Sequence, residues 1–335
     1  MGDTTKFFSR ERELLLERKE FLSSFLPGWV FDFEYSVGSF VGVKSDVKGF
    51  TSLTERLTGL GDEGVDLLAE KISEVYSCFD FFDGIEYHEG DAVIALSDDV
   101  VKSVRAGFRA QELIENLDPV FGNKLRMRLG LDYGVFFRAV VGTDYRRIPV
   151  IAGPGLKKAY LAEELSVPGQ VCLSEECAGL FKEVVSSEGL DFKLSRSDSG
   201  LFVVDSLEKR SGVSTREFVL FSDSDKFSNE DLKEQIKFLE SFFPEYVLNN
   251  LEGKGGFRTP SILFASFPQL KKFTKDNVGD ASALFEAYSV FAGVVVPAVE
   301  GRGGVVDKFY DGKLIAYDLS ESSSLHLLEA SHEIL

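Results

Sequence analysis

The sequence contains an internal repeat, which constrains the fold more than any other feature. The segment SILFASFPQLKKFT at 261–274 parallels FVGVKSDVKGFTSLT at 40–54, and VDKFYDGKLIAYDLS at 306–320 parallels IEYHEGDAVIALSDD at 85–99. The offsets are 220 and 221 residues, so the register of the two pairs agrees. Self-similarity at a fixed offset indicates a duplicated structural unit. We therefore expect two copies of one fold, the second ending at Leu335, which corresponds to about residue 115 of the first.

Hydrophobic spacing predicts alternating strands and helices in the first copy. Aromatic and β-branched residues predict a strand at 33–47, and Gly90-Asp91 lies between two short strands as in a hairpin. Apolar residues at 49–82 follow helical spacing, and 125–142 is typical of a pair of strands. This alternation, with a hairpin in it, favours an α/β or α+β sandwich with one helical face.

The repeat and the local patterns together divide the chain into four parts. We expect an N-terminal helix at 1–30, a complete first copy at 31–221, a linker and helix at 222–257, and a partial second copy at 258–335. Ser228 lies at the end of the linker, where its side chain can cap the helix that follows.

Composition excludes several classes of function. A net charge of −18 disfavours nucleic acid as a partner, because phosphate backbones need a basic surface. No run of 18 or more apolar residues occurs, which predicts no membrane span, and the charged N-terminus lacks the apolar core of a signal peptide. Three cysteines and three histidines suit a reducing compartment and disfavour a zinc site. We expect a cytoplasmic protein.

Two carboxylates mark the segments with the most chemical content. Asp46 ends a predicted strand, and Gly49 permits a tight turn into a helix whose free amides can hold a phosphate. Asp91 lies at the tip of the predicted hairpin. Two strand-end carboxylates side by side would form a site for Mg²⁺. Taken separately, each has a simpler interpretation, because Asp before a helix is usually a cap and Gly-Asp is usually a turn.

Four motifs, in order over about 180 residues, resemble those of the class III adenylyl and guanylyl cyclases. D-V-K-G-F-T-S-L from Asp46 resembles the first metal motif of that family, and E-G-D-A-V-I-A-L from Glu89 resembles the second. RMRLGLDYGVFFRAVVG from Arg126 and PGQVCLSEE from Pro168 resemble the strand segments that follow. The tandem arrangement is most similar to the soluble, bicarbonate-responsive adenylyl cyclases.

The resemblance implies a fold and a site. The fold would be a ferredoxin-like βαββαβ cyclase homology domain of the α+β class, followed by a second, truncated copy. Asp46 and Asp91 would hold two Mg²⁺ or Mn²⁺ ions and act as the catalytic pair. The residues that would bind the nucleotide are Val47, Lys48, Gly49, Phe50, Thr51, Arg128 and Lys308. For Arg128, phosphate binding and the alternative of a solvated strand residue carry equal weight.

The first copy departs from the family at the other half of the site. The Asn and Arg that position ribose and stabilise the transition state should fall near Lys157 and Leu161, and neither matches. The position of the adenine-reading Lys is Tyr87, and the second base-reading position falls near Ile148. A symmetric homodimer of this copy would therefore lack every transition-state group except the metals.

The second copy departs in complementary places. Ser266 and Gly312 stand where the metal carboxylates should be, so this copy would bind no metal. Lys308 aligns with the adenine-reading Lys, which favours ATP over GTP because guanine N1 carries a proton and cannot accept. The alternative for Lys308 is a solvated lysine at a strand end.

Two functions follow as hypotheses. The first is the catalytic region of an adenylate cyclase, which converts ATP to 3′,5′-cyclic AMP and pyrophosphate with two metal ions. It is incomplete in this chain, so that a second cyclase-type domain or chain would be a partner. The second is a catalytically degenerate cyclase-homology module that binds nucleotide or a partner and regulates another activity. The losses at Tyr87, Ile148, Lys157 and Leu161 favour the second, and the retained Asp46 and Asp91 favour the first.

Overall fold

The structure is a computed structural model that describes residues 2–119, 122, 124–208, 228–249, 259–320 and 323–334. It is a mixed α+β fold built on two sheets. The large sheet contains β1 (Tyr35–Lys48), β2 (Ile85–Glu89), β3 (Ala92–Ser97), β4 (Arg126–Gly142), β5 (Arg147–Ala152), β6 (Val171–Leu173), β7 (Asp191–Arg196) and β8 (Phe202–Glu208). The small sheet contains β9 (Ser261–Ser266), β10 (Val305–Tyr310) and β11 (Lys313–Asp318). The helices are α1 (Gly2–Ser23), α2 (Phe50–Thr58), α3 (Asp62–Ser77), α4 (Val100–Asn116), α5 (Pro154–Glu164), α6 (Glu175–Ser187), α7 (Asn229–Glu240), α8 (Glu245–Leu248), α9 (Pro268–Asp276), α10 (Ala281–Glu300) and α11 (Ser323–Ile334).

The large sheet has the strand order β2-β3-β1-β4-β6-β8-β7, with β5 paired to β4. Its first four strands are antiparallel neighbours, in the order of a βαββαβ unit. The predicted strand pair at 125–142 is wrong, because β4 is one strand of 17 residues. It stays extended because β1 pairs with it along its length, from Tyr35 opposite Ala139 to Lys48 opposite Arg126.

Helices α2, α3, α4 and α6 cover one face of the large sheet. Val41, Val43 and Val47 of β1 point into this layer and are buried with Phe50 of α2, as the period of two along a strand requires. The stretch with helical spacing at 49–82 contains two helices, α2 and α3, because the chain turns at Gly59–Gly61 between them.

All three cysteines of the sequence lie in the part of the molecule built on the large sheet. Cys78 follows α3, Cys172 is in β6 and Cys177 is in α6. Each is a buried free thiol, and burial raises the pKa of each. The pKa of Cys78 rises to about 11.

The opposite face of the large sheet packs against α5, α10 and the small sheet. Phe137 of β4 and Tyr288 of α10 lie in one apolar core, and the Tyr35 and Phe285 rings stack with centroids 4.6 Å apart. The small sheet has the order β10-β11-β9, with both pairings antiparallel. Asp311 N–H, in the β10–β11 turn, donates to Ile151 O of β5 at 3.3 Å.

Helix α10 bears on the expectation of no membrane span. Within the described ranges it is the one helix long and apolar enough to cross a membrane by length and composition. Of its most apolar stretch, 39% is buried inside the molecule. Its buried residues include Leu284, Tyr288 and Val295, which contact the core between the two sheets.

The N-terminal helix packs against the helix that precedes the small sheet. Helix α1 contacts α7, and Leu22 is buried with Ile236 and Leu239. The expected cap is present, since Ser228 Oγ accepts from Asp231 N–H and the Asp231 side chain accepts from Ser228 N–H. Within the predicted linker and helix at 222–257, residues 222–227 and 250–257 lie outside the described residues.

Candidate metal and nucleotide site

Asp46 and Asp91 lie close together at one end of the large sheet. Asp46 is near the C-terminal end of β1, and Asp91 is in the β2–β3 turn after Gly90, which has φ +66°. Because β1 pairs with β3, the turn reaches the end of β1, and Val93 N–H of β3 donates to Ser45 Oγ, one residue before Asp46, at 3.2 Å. Burial raises the pKa of Asp91, and the negative charge of Asp46 raises it further.

Helix α2 begins beside these carboxylates with unoccupied amides. Gly49 precedes the helix with φ +96°, in the left-handed region that glycine adopts without strain, and no side chain caps the helix. Val47 and Phe50 are buried in the core, so only their backbone atoms can meet a ligand. Lys48 and Thr51 are exposed. A cavity of about 330 Å³ adjoins this helix start and is lined by Lys48, Gly49, Ser52, Gly122, Lys124 and Arg126.

Arg128 is directly opposite Asp46 in the β1–β4 pairing, and its guanidinium holds two carboxylates. Its Nη2 donates to Asp46 Oδ2 at 2.7 Å and lies 2.8 Å from Glu163 Oε1. The Arg128 side chain is 19% exposed and that of Glu163 is 9% exposed. Arg128 is therefore a paired, largely buried cation beside the candidate metal ligands.

Glu163 reaches this site because α5 packs unusually close to β4. A Cβ at Gly130 would lie 2.1 Å from Glu163 N, and one at Gly134 would lie 2.9 Å from Gly155 Cα. Only glycine fits at such backbone approaches. Sequence reasoning missed Glu163, and the Gly-x-x-x-Gly spacing of Gly130 and Gly134 is the signal that could have pointed to it.

A second polar cluster, also missed, lies next to Asp46 on the same face of β1. Lys44 is two residues before Asp46, is buried, and forms an ion pair with Glu89 at 3.1 Å. Tyr160 of α5 donates to Glu89 at 2.8 Å, and its ring stacks with that of Tyr310 from β10 at 6.2 Å between centroids. A lysine within the apolar alternation of β1 is the signal that the sequence offered.

The residues predicted for base recognition lie elsewhere than the carboxylate pair. Lys308 is on β10, 3.9 Å from Asp307, and its positive charge contributes to lowering the pKa of His88 in β2. Tyr87 is half-buried and donates to Pro149 O, and Tyr87, Ile148 and Lys308 all line one cavity of about 270 Å³. Lys157 and Leu161, on α5, are both exposed.

The donor set at the carboxylate pair fits a hard divalent cation. Across the described part of the chain, no group of three or more His, Cys, Asp and Glu side chains converges as a metal site. Mg²⁺ commonly uses one or two carboxylates and completes its shell with water and substrate phosphates. Asp46 and Asp91, beside the open amides of α2, match that requirement without a third side chain.

Comparison with solved structures finds nucleotide cyclase domains that are similar to about half of this chain. No protein-family model and no curated protein matches the sequence. Among solved structures, adenylyl cyclase CyaB from P. aeruginosa is 20% identical with a TM-score of 0.38, over 54% of this chain and 100% of that one. The guanylyl cyclase domain of the RhoGC fusion protein from Blastocladiella emersonii is 16% identical with a TM-score of 0.40, over 52% and 99%. The guanylyl cyclase Cya2 is 16% identical with a TM-score of 0.37, over 54% and 99%. At these values the function has to be argued from the residues themselves.

Proposed function

We propose that this chain carries the metal-binding half of a class III adenylate cyclase site, which binds ATP with Mg²⁺ or Mn²⁺ at Asp46 and Asp91. One observation carries the proposal: the β1–β3 pairing brings Asp91 beside Asp46 at the uncapped start of α2, close enough for the charge of Asp46 to raise the pKa of Asp91. Two like charges held together in a partly buried place are unfavourable without a cation, so the arrangement favours a metal ligand role over two separate turn residues.

The chain's own groups have distinct tasks in this proposal. Asp46 and Asp91 hold the cations, which supply Lewis acidity at the 3′-hydroxyl and the triphosphate. The amides of residues 47–51 and the Arg128 guanidinium bind the phosphates, since a helix start and a planar cation both suit phosphate oxygens. Lys308 donates to adenine N1 across the contact between the two sheets.

The site is incomplete for turnover in this proposal. Lys157 and Leu161 stand where the resemblance calls for the Asn and Arg of the transition state, and both are exposed on α5. The small sheet, with β9, β10 and β11 in the same neighbour relation as β1, β2 and β3, would be the second, truncated copy. A second cyclase-type domain or chain would then supply the missing groups.

The second candidate function is a degenerate module that binds nucleotide and does not turn it over. The ion pair between Arg128 and Asp46 favours it, because that guanidinium neutralises a metal ligand without any metal. Both candidates share nucleotide binding at the carboxylate pair and differ in product formation.

The test is to incubate the purified chain with ATP and Mn²⁺ or Mg²⁺ and to detect cyclic AMP by mass spectrometry, with Asp46→Asn alongside. Metal-dependent ATP binding is measured by calorimetry on the same samples. Binding that Asp46→Asn abolishes, without product, supports an incomplete site. Product that Asp46→Asn abolishes establishes a cyclase. Absence of metal-dependent binding in folded protein overturns the proposal.

A further inference from the structure

A second cavity, of about 520 Å³, lies between α5 and α9 and is lined by an unusual number of lysines. The lysines at its lining are Lys157, Lys158, Lys271, Lys272 and Lys275. The whole sequence has 55 acidic against 37 basic residues. Five cations around one cavity therefore run against the charge of the molecule as a whole.

Three of these lysines have no carboxylate partner among the residues that the structure describes. Lys158 pairs with Glu176, and Lys271 pairs with Asp311 at 2.7 Å. The other three, Lys157, Lys272 and Lys275, appear in no ion pair within that part of the chain. Cations brought together without counter-ions repel one another, and an anion between them removes that cost.

Two helices also begin at this cavity. Helix α5 starts at Pro154 after Gly153, and α9 starts at Pro268 after Phe267. Neither start has a side-chain cap, so the backbone amides that follow each proline in the first turn have no side-chain acceptor. Helix starts carry partial positive charge and favour phosphate groups. Ammonium groups and helix starts thus point to the same kind of ligand from independent elements.

The remaining lining is mainly apolar. Pro154, Pro268 and the half-exposed Leu161 form walls between the lysines. The one carboxylate at the lining is Asp311, which Lys271 already holds, so the cavity offers no pair of free carboxylates for a metal. A ligand that fits would combine several negative charges with an apolar body.

We propose that this cavity binds a small organic polyphosphate without a metal ion. The lysines and helix starts take the phosphates, and the proline and leucine walls take the organic part. Because one wall belongs to α5 and the other to α9 and the β10–β11 turn, the bound molecule joins the large sheet to the small sheet. This site is separate from Asp46 and Asp91 and does not depend on the function proposed for them.

The test is calorimetric titration of the full chain with ATP and, separately, with inorganic triphosphate, both in excess EDTA. Both probes should bind, with ATP the tighter because of the apolar walls. The triple variant Lys157→Ala, Lys272→Ala, Lys275→Ala should weaken metal-free ATP binding at least tenfold. The exposed triple Lys182→Ala, Lys193→Ala, Lys237→Ala makes the same change of charge elsewhere and should not weaken it.

Several outcomes would overturn the proposal. These are no metal-free binding at millimolar ATP, equal loss in both triple variants, or no loss in the first. Triphosphate binding equal to or tighter than ATP binding would remove the organic part of the ligand. Circular dichroism of each variant excludes unfolding as the cause, and the substituted lysines are all exposed.

Discussion

At the scale of single residues, Arg128 decides the charge state of the candidate metal site. Its guanidinium forms ion pairs with both Asp46 and Glu163, so the charge of Asp46 is neutralised even without a metal ion. In the proposed function, a metal ion would have to compete with this arginine, and a phosphate would draw the guanidinium away from Asp46. We infer that nucleotide and metal bind more favourably together than either does alone.

Arg128→Ala should therefore separate metal binding from nucleotide binding. Removal of the competing cation should tighten Mn²⁺ binding without nucleotide and weaken ATP binding in the presence of Mn²⁺. Loss of the pairs to Asp46 and Glu163 should also lower the free energy of unfolding by about 2 kcal/mol. Titration calorimetry and urea unfolding measure these changes. Arg109→Ala, an exposed arginine on α4, is the control, and weaker Mn²⁺ binding in Arg128→Ala would contradict the competition.

Asp132 should make stability depend on pH. It is fully buried in β4, and neither carboxylate oxygen meets a hydrogen-bond donor in good geometry. Burial raises its pKa from 3.8 to about 6. The folded protein thus binds this proton more tightly than the unfolded chain does, so the free energy of unfolding falls as pH rises from about 4 to about 6.

Asp132→Asn should remove this dependence and stabilise the protein at pH 7 by about 2 kcal/mol, since an uncharged group replaces a buried carboxylate. Urea unfolding at pH 4.5 and pH 7 measures the effect. Asp98→Asn, at an exposed position after β3, should change neither value. An unchanged pH slope in Asp132→Asn would assign the slope to other carboxylates.

At the scale of elements, local sequence patterns predicted those features that depend on only a few neighbouring residues. The β2–β3 hairpin forms where the sequence placed it, because a Gly-Asp turn is encoded within a few residues. The single strand β4 was missed, because its continuity depends on pairing with β1, far away in the chain. The helical spacing at 49–82 did not locate the break between α2 and α3, because glycine in a helical pattern is tolerated and is a weak signal.

The site was predicted in part for the same reason. Asp46, Asp91 and Gly49 belong to short motifs, and the structure brings them together. The ion pair to Glu163 depends on how closely α5 approaches β4, and the lysine cavity depends on how α5 and α9 meet. Neither arrangement produces a periodic pattern within one stretch of the sequence, so sequence reasoning could not find it.

Gly130→Ala tests the packing of α5 on β4. A Cβ here would lie 2.1 Å from the backbone of Glu163, so the helix must move away. We expect a loss of at least about 2 kcal/mol of unfolding free energy, in the range of overpacked cores. The ion pair of Arg128 with Glu163 should break as well. Gly179→Ala, in α6 with open space around its Cα, should instead stabilise by about 0.5 kcal/mol. Thermal and urea unfolding distinguish the two.

At the scale of the whole molecule, Arg146 ties the large sheet to the small sheet. It is buried between β4 and β5, and its guanidinium donates to Glu300 Oε1 of α10 at 2.9 Å and to Val306 O of β10 at 2.8 Å. It also donates to Phe242 O, after α7. One side chain thus satisfies acceptors from three elements that are distant in sequence.

Arg146→Leu should loosen the docking of the small sheet. It leaves Glu300 without its cation partner and the Phe242 and Val306 carbonyls without the arginine donor, at a cost of about 3 kcal/mol. Hydrogen exchange should accelerate in residues 281–318 more than in β1 and β4. Arg196→Leu, on the exposed strand β7, should leave both regions unchanged. Uniform acceleration over the whole chain would show that the two sheets unfold as one unit.

The placement of the cysteines makes thiol modification a measure of how often one part of the molecule opens. Cys78, Cys172 and Cys177 are all shielded from solvent in the part built on the large sheet, and the small sheet contains none. A thiol reagent can modify this protein only when that part opens. The rate of modification therefore reports opening of the part built on the large sheet and is insensitive to opening of the small sheet. Comparison of that rate with hydrogen exchange in α10 would time the two halves independently, without a label or a substitution.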